Sequence, residues 1–198
     1  MLHVVVVTPI ERTLEAFERA KQSEPDYPDA AVLATVGEDG RPSARIVLVR
    51  GADERGFTFY TNYRSRKGSE LDDQRFAALC FYWKTLREQI RVEGTVSRVS
   101  AAESDAYFAA RPRESQIGAH ASSQSEHLAN RGELERRVEE LTAQFAGAPV
   151  PRPSHWGGYR LTPDRLEFWS EGAVRLHDRF VYDLEPSNGS WREQRLFP

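Results

Sequence analysis

The sequence predicts a mainly β protein, an antiparallel barrel with peripheral helices. Three observations carry this expectation. Roughly eight or nine short segments are rich in β-branched and aromatic residues and are bounded by Gly, Asp, Asn or Pro. The Asp39-Gly40 step between two of them favours a tight hairpin. The helix-like stretches do not alternate regularly with the strands, which disfavours a doubly wound parallel sheet.

The elements follow in order. Thr8-Pro9-Ile10-Glu11 is a helix start, with Thr as cap, Pro at the first helical position and Glu three residues after the cap. Leu14, Phe17 and Ala20 should share a face of that helix, which should fade near Ser23, before a loop from Pro25 to Pro28. Ala31–Val36 and Ala44–Val49 pair across the Gly37–Gly40 turn, and Phe57–Thr61 follows a turn at Gly51–Gly56. A short helix is expected at Ser69-Glu70-Leu71. Phe76–Trp83 and Gln89–Val99 read as further strands. Ser100-Ala101-Ala102-Glu103 is a second capping box, opening a helix to about Ala110. Arg131–Phe145 carries Leu134, Val138, Leu141 and Phe145 at helical spacing. Beyond the stiff Pro149–Pro153 linker, Tyr159–Leu161, Leu166–Trp169, Arg179–Asp183 and Ser190–Leu196 read as short strands. The expected organisation is an N-terminal helix and loop at 1–29 and a single domain at 30–198.

Composition narrows the function. The 198 residues include 27 basic and 30 acidic side chains, a net charge of −3, with 39% hydrophobic and 29% charged residues. That balance argues against a dedicated nucleic-acid or anionic-membrane binder. No run approaches the ~18 apolar residues of a membrane span, and Val4–Val7 is too short for a signal-peptide core. The single cysteine, Cys80, lies in an apolar run and reads as a buried structural thiol. A reducing cytoplasm fits it. The basic residues comprise 24 Arg and only 3 Lys. Gene composition explains most of that bias, but Arg also suits two-pronged recognition of phosphate and carboxylate.

There is no Gly-rich dinucleotide fingerprint and no nucleotide-hydrolase phosphate loop. The five histidines lack metal-ligand spacing, so no metal is expected. Leu176-His177-Asp178 has no serine in a nucleophile elbow to complete a triad. Three basic clusters remain. Arg64-Ser65-Arg66-Lys67-Gly68-Ser69 lies between a strand and a helix start, and is either an anion site or a solvated basic turn. Arg111-Pro112-Arg113-Glu114-Ser115-Gln116 follows Tyr107 and Phe108, and is either a phosphate site or a helix end decorated with cations. In Arg175-Leu176-His177-Asp178-Arg179, alternation along an extended chain would put Arg175, His177 and Arg179 on one face, where an anion or polarised ring would relieve their repulsion.

Taken in order, several stretches resemble the pyridoxine (pyridoxamine) 5′-phosphate oxidase family across roughly residues 30 to 198. They are Arg45-Ile46-Val47-Leu48-Val49-Arg50, Phe59-Tyr60-Thr61-Asn62, Ser65-Arg66-Lys67, Arg111 through Ala119, Ser123-Gln124-Ser125, Trp156-Gly157-Gly158-Tyr159-Arg160, and Glu167-Phe168-Trp169 through Arg179. The resemblance implies an FMN-binding split barrel that works as a homodimer with flavin at the subunit interface. It implies that Arg45, Ile46, Val47, Leu48, Tyr60, Thr61, Arg66, Lys67, Gln89, Gln124, Ser125, Trp169 and Arg179 contact FMN, with Arg66 and Lys67 on its phosphate. Arg50, Tyr107, Arg111 and Ser115 would hold the substrate phosphate. Arg175 and His177 would face the pyridine ring as the catalytic pair. The implied reaction takes hydride equivalents from the substrate C4′ to flavin N5, yields pyridoxal 5′-phosphate, and passes the electrons to O2 to give H2O2.

Three departures stand out. Arg50 replaces the family's usual Lys, and the two cations are not interchangeable at a phosphate. His120 replaces the usual Trp after Ile117-Gly118-Ala119. Residues 1 to about 29 are unlike the family's N-terminus and are not expected to inherit its part in covering the substrate. Two other functions compete: an oxidase of the same fold acting on another small ring compound, as in phenazine biosynthesis, and a non-catalytic flavin or B6-phosphate binder. The Arg111–Gly118 segment favours the B6 oxidase, because a phenazine precursor lacks the phosphate it would bind. Arg175 with His177 speaks against a mere binder.

Overall fold

The computed structural model describes residues 7–198. His3 and Val4-Val5-Val6, which entered the sequence argument, lie outside the described residues, as does the start of the 1–29 segment. Thr8 and Glu11 close a reciprocal capping box over α1 (Pro9–Ser23). The helix buries Thr13, Ala16, Phe17 and Ala20, while Leu14 stays half-exposed. Phe17 meets Phe81 and Trp83 edge-on, at centroid separations of 4.8 and 5.3 Å. T-shaped pairs of this kind add to plain area burial, so α1 joins the same core as the barrel.

The barrel has six antiparallel strands: β1 (Ala30–Val36), β2 (Pro42–Asp53), β3 (Gly56–Asn62), β4 (Phe76–Trp83), β5 (Glu88–Arg98) and β6 (Trp156–Ser170). Pairing runs β1–β2–β3–β6–β5–β4 and returns to β1. Alternate residues point inward, so Leu33, Phe57, Phe59, Leu79, Phe81, Ile90, Val92, Leu161 and Leu166 fill the interior. β7 (Asp178–Leu184) and β8 (Trp191–Leu196) extend the sheet from the far half of β6.

Several sequence expectations need correction. β6 is one strand of 15 residues where two short ones were expected. Pro163 reads as a break, yet it lies at an irregularity beside Glu93/Gly94, where the ladder shifts register and no N–H is needed. A Cβ on Gly94 would sit 2.1 Å from the Thr162 carbonyl oxygen, so only glycine admits that approach. β2 runs on to Asp53, which shrinks the expected Gly51–Gly56 turn to its tip. Among the described residues there are five α-helices, where three and a short fourth at Ser69-Glu70-Leu71 were expected. α2 (Arg66–Asp73) starts three residues earlier than expected, because Ser65, not the chain around Ser69, is its cap. α3 (Ala101–Ala109) and α5 (Arg131–Gln144) stand as expected. Between them, α4 (Arg113–Ala121) occupies what read as the decorated end of α3.

α3, α4 and α5 cover a second, smaller core of Phe108, Ile117, Val150 and Trp156. Val138, Leu141 and Phe145 of α5 pack against it half-buried. Gln116 donates to the last carbonyls of α3, at Phe108 (2.9 Å) and Ala109 (3.3 Å), so one side chain sets the angle between α3 and α4.

Candidate functional site

A cleft of about 620 Å³ opens between β2, β3, α4 and the start of α2. Ile46, Val47, Leu48 and Arg50 reach it from β2, and Tyr60, Thr61 and Asn62 from β3. Lys67 enters from α2, Tyr107, Arg111, Pro112, Ser115, Gly118 and Ala119 from the α3–α4 corner, and Ser122 and Gln124 from the chain beyond α4. The lining holds three cations, Arg50, Lys67 and Arg111, and no carboxylate. Such a cleft attracts anions, and its walls strengthen the field.

Two groups of donors lie within it. The first surrounds Lys67. Its Nζ donates to Gln124 Oε1 (2.8 Å) and Thr61 Oγ1 (3.2 Å), both neutral. Burial pushes the Lys67 ammonium below its ordinary range, and nearby Arg45 pushes it the same way. Ser65 shapes the backbone here: its Oγ donates to the Asn62 carbonyl (2.7 Å) and accepts from Gly68 N–H (3.3 Å). Ser125 adopts a left-handed φ of 75° and accepts from the Arg66 backbone N–H (3.1 Å). A non-glycine residue in that region is uncommon and strained. A Cβ on Gly68 would lie 2.2 Å from the Tyr63 carbonyl oxygen, so glycine is what lets this turn close.

The second group surrounds Arg111. Its guanidinium lies 4.6 Å over the Trp156 ring. Arg111 Nη1 is buried with no hydrogen-bond partner among the described residues. Burial pushes its pKa down, with Arg50 acting in the same direction. Tyr60, Tyr107 and Trp156 stack nearly parallel, with Tyr60 and Tyr107 3.8 Å apart at 6°. Buried polar groups are nearly always satisfied, so an unmet cation on an aromatic floor fits an anionic ligand group. Trp156 was not among the expected site residues, although the Trp156-Gly157-Gly158 run was a visible signal.

The other expected residues divide. Arg113 does not face the cleft: it donates to the carbonyls of Phe145 (2.6 Å) and Ala148 (3.0 Å), closing the end of α5. His120 holds the Pro151 carbonyl at 2.7 Å and packs against Phe145. Arg50 pairs with Asp29 at 2.7 Å on the cleft rim. Arg45 and Arg66 both turn to Glu70.

Gln89, Trp169 and Arg179 form one cross-strand row over β5, β6 and β7, through the pairs Gln89–Trp169 and Trp169–Arg179. Arg179 is held by buried Glu167 at 3.0 Å. Gln89 and Trp169 line a separate cleft of about 210 Å³ with Arg12 and Arg19 of α1. Arg175 and His177 sit in the turn before β7. The extended-chain alternation expected for Arg175, His177 and Arg179 does not hold: Ala173–Arg175 is a single 3₁₀ turn, and Val174 and Arg175 have φ of 53° and 64°. The chain reverses at Val174 and Arg175, and the turn is closed by Gly172 N–H donating to His177 Nδ1 (3.2 Å) and Leu176 N–H to the Ala173 carbonyl (3.0 Å). With Nδ1 accepting, a neutral His177 carries its proton on Nε2. Its ring lies 4.6 Å from that of Trp169. Lys67 thus lines the first cleft and Trp169 the second.

The comparisons with known proteins agree along the chain. The family profile described as pyridoxamine 5′-phosphate oxidase matches residues 17–145. The profile of the pyridoxine 5′-phosphate oxidase C-terminal dimerisation region matches residues 156–198. A pyridoxine/pyridoxamine 5′-phosphate oxidase of Myxococcus xanthus (strain DK1622) is 58% identical over 200 residues, covering 100% of this chain and 96% of its own. One from Rubrobacter xylanophilus is 55% identical over 190 residues, covering 96% and 87%. Among solved structures, PhzG from Burkholderia lata 383, in complex with tetrahydrophenazine-1-carboxylic acid, matches with a TM-score of 0.92 and 32% identity, covering 98% of this chain and 95% of that one. A pyridoxamine 5′-phosphate oxidase-related, FMN-binding protein from Nostoc punctiforme matches with a TM-score of 0.76 at 19% identity, a likeness of fold alone.

Proposed function

The chain belongs to the pyridoxamine 5′-phosphate oxidase family, and from that membership we propose that it oxidises pyridoxine or pyridoxamine 5′-phosphate to pyridoxal 5′-phosphate with FMN and O2. The observation that carries this reading is the carboxylate-free cleft with its two separate cationic niches. One niche suits the cofactor phosphate and the other the substrate phosphate.

In this reading Lys67, Thr61, Gln124 and Ser125 hold the FMN phosphate, with Arg66 and Arg45 beside them. Tyr60 and Ile46 to Leu48 supply the wall along the flavin. Arg111, Ser115, Tyr107 and the rim residue Arg50 hold the substrate phosphate, and Arg111 gains the partner its buried Nη1 lacks. Flavin held there would supply the two-electron chemistry, with hydride equivalents leaving C4′ and O2 taking up the electrons as H2O2. The chain's own contribution is position and charge. Arg175 would lie over the pyridine ring and stabilise charge there, and His177 would present Nε2, the ring nitrogen not engaged by Gly172, to the same ring. The left-handed backbone at Val174 and Arg175 is strain of the kind that accompanies a functional constraint.

Gln89, Trp169, Arg179, Arg175 and His177 belong to the same site through a second copy of the chain. The dimerisation region at 156–198 supports a homodimer. Its face is the outer side of the barrel, where Val32 pairs with Ile46 and Cys80, and where Ile46, Phe76 and Tyr82 are each more than 60% exposed. FMN would be held at that interface, between the Lys67 niche of one copy and the Gln89–Trp169–Arg179 row of the other. No helix among the described residues is long and apolar enough to cross a membrane, and the lone cysteine goes with a cytoplasmic setting.

The likeness to PhzG favours a second reading, oxidation of a phenazine-type ring. Arg111 and Ser115 argue against it, since they suit a substrate phosphate. The test is an anaerobic mixture of the purified yellow protein with pyridoxamine 5′-phosphate. Bleaching of the flavin band is expected. A flavin-loaded protein that no B6 phosphate bleaches would overturn the oxidase reading.

A further inference from the structure

Glu70 has no part in the reading above, yet it is the most heavily bonded carboxylate of the site region. Its side chain is 7% exposed and lies one helical turn after Arg66 on α2. Four donors converge on it. Oε1 accepts from Arg66 Nε (2.8 Å), and Oε2 from Thr35 Oγ1, Ser43 Oγ (2.7 Å) and Arg45 Nη2 (3.0 Å). Burial pushes the carboxyl up, and the hydrogen bonds from Thr35, Ser43, Arg66 and Arg45 outweigh it and hold it at about 2. Glu70 is therefore ionised throughout the ordinary pH range.

A buried negative charge beside an anion niche opposes the anion, and burying it is costly unless it is fully paired. Here the pairing falls on two guanidinium groups whose own freedom is otherwise large. An Arg fork that is already oriented loses less entropy when it meets a phosphate. Arg66 is held at both ends, by its backbone N–H on Ser125 and its guanidinium on Glu70. Arg45 is fixed by Glu70 together with Thr35, Ser43 and the Leu33 carbonyl. It stands close enough to Lys67 to depress that ammonium.

We propose that Glu70 is a positioning residue for the cofactor phosphate, holding Arg45 and Arg66 in fixed orientation at the edge of the niche built by Lys67, Gln124 and Ser125. The inference rests on the reading that this niche takes the FMN phosphate. Its content is that the negative charge of Glu70 favours anion binding, through the arginines it orients, against its direct repulsion.

The test compares FMN with riboflavin, which differ by the phosphate alone. Binding of each to the flavin-stripped full chain is followed by quenching of flavin fluorescence, for wild type and Glu70→Gln. A lost charge-assisted pair predicts FMN binding weaker by about tenfold, with riboflavin binding within about twofold of wild type. In an Arg66→Ala background the Glu70→Gln effect should shrink, because the two act through one group. FMN binding that is unchanged or tighter in Glu70→Gln overturns the proposal, and so does an equal loss of both flavins, which marks general damage to the fold. If the amide variant fails to fold, Glu70→Asp keeps the charge and withdraws it by one methylene. It should lose FMN preferentially by about threefold, and an unchanged preference overturns the proposal. Wild type that binds riboflavin as tightly as FMN overturns the phosphate niche and this inference with it. A wild-type preference retained in Glu70→Gln overturns this inference alone.

Discussion

Arg111 illustrates how much one side chain can say about a ligand. Its Nη1 is buried with no hydrogen-bond partner among the described residues, and its guanidinium lies on Trp156. Leaving such a donor unmet costs about 1–3 kcal/mol, a cost that a phosphate would remove. Arg111→Ala should therefore raise the KM for pyridoxamine 5′-phosphate by roughly 30-fold, corresponding to about 2 kcal/mol, and leave flavin content unchanged. Steady-state kinetics and the flavin-to-protein absorbance ratio read the two effects separately. Loss of flavin in step with KM would assign Arg111 to the other ligand. Arg113, two residues on, shows the limit of sequence reading. It looks equivalent in the chain, yet it closes the end of α5. Which of two neighbouring arginines faces a cleft depends on where a helix begins, and here Pro112 starts one between them.

Helix starts also decide the geometry at α2. Ser65 was legible as part of a basic turn, but its capping role was not, because the helix was expected to open at Ser69. In the fold its hydroxyl is fully buried and satisfies both the Asn62 carbonyl and the Gly68 N–H. Ser65→Ala should cost about 1–2 kcal/mol and lower the melting temperature by several degrees. It should also weaken FMN binding, since Lys67 is carried on the same turn; thermal melts and flavin titration check both, and a variant with wild-type FMN affinity would separate the cap from the niche. Strands were more legible than short helices. β1, β4 and β5 follow local alternation closely, and β3, buried on both faces, follows its aromatic content. α4 is nine residues with Gly118 near its end, and its support comes from Phe108, Val150 and Trp156, which are distant in sequence or on other elements. Likewise Pro163 reads as a break locally, and only pairing with β5 reveals it as an irregularity inside one strand.

For the whole molecule, the residues expected to meet FMN fall into two sets, one in the cleft or beside it at Arg45, Arg66 and Ser125, and one on the β5–β6–β7 row. The motifs named both sets; the sequence could not tell which members share a cleft in one chain. In the proposed reading, a dimer built on the outer barrel face joins them. Val32→Glu puts a charge at the middle of that face, between Ile46 and Cys80. It should give a monomer by light scattering with much reduced flavin retention, and a dimer of unchanged flavin content would move the interface elsewhere. One feature of the barrel bears on a different stage of its life. The seam that closes it joins β3 to β6, with Asn62 opposite Trp156, so the pairing spans nearly half the chain. Such non-local contacts form late and slowly. While the chain is being synthesised, β3 must wait for β6 to emerge, with its backbone edge open to other nascent chains. Once β6 arrives, it seals β3 and β5 together. The span from 156 to 170 is therefore where the fold is committed, and it is also the strand that carries Trp169.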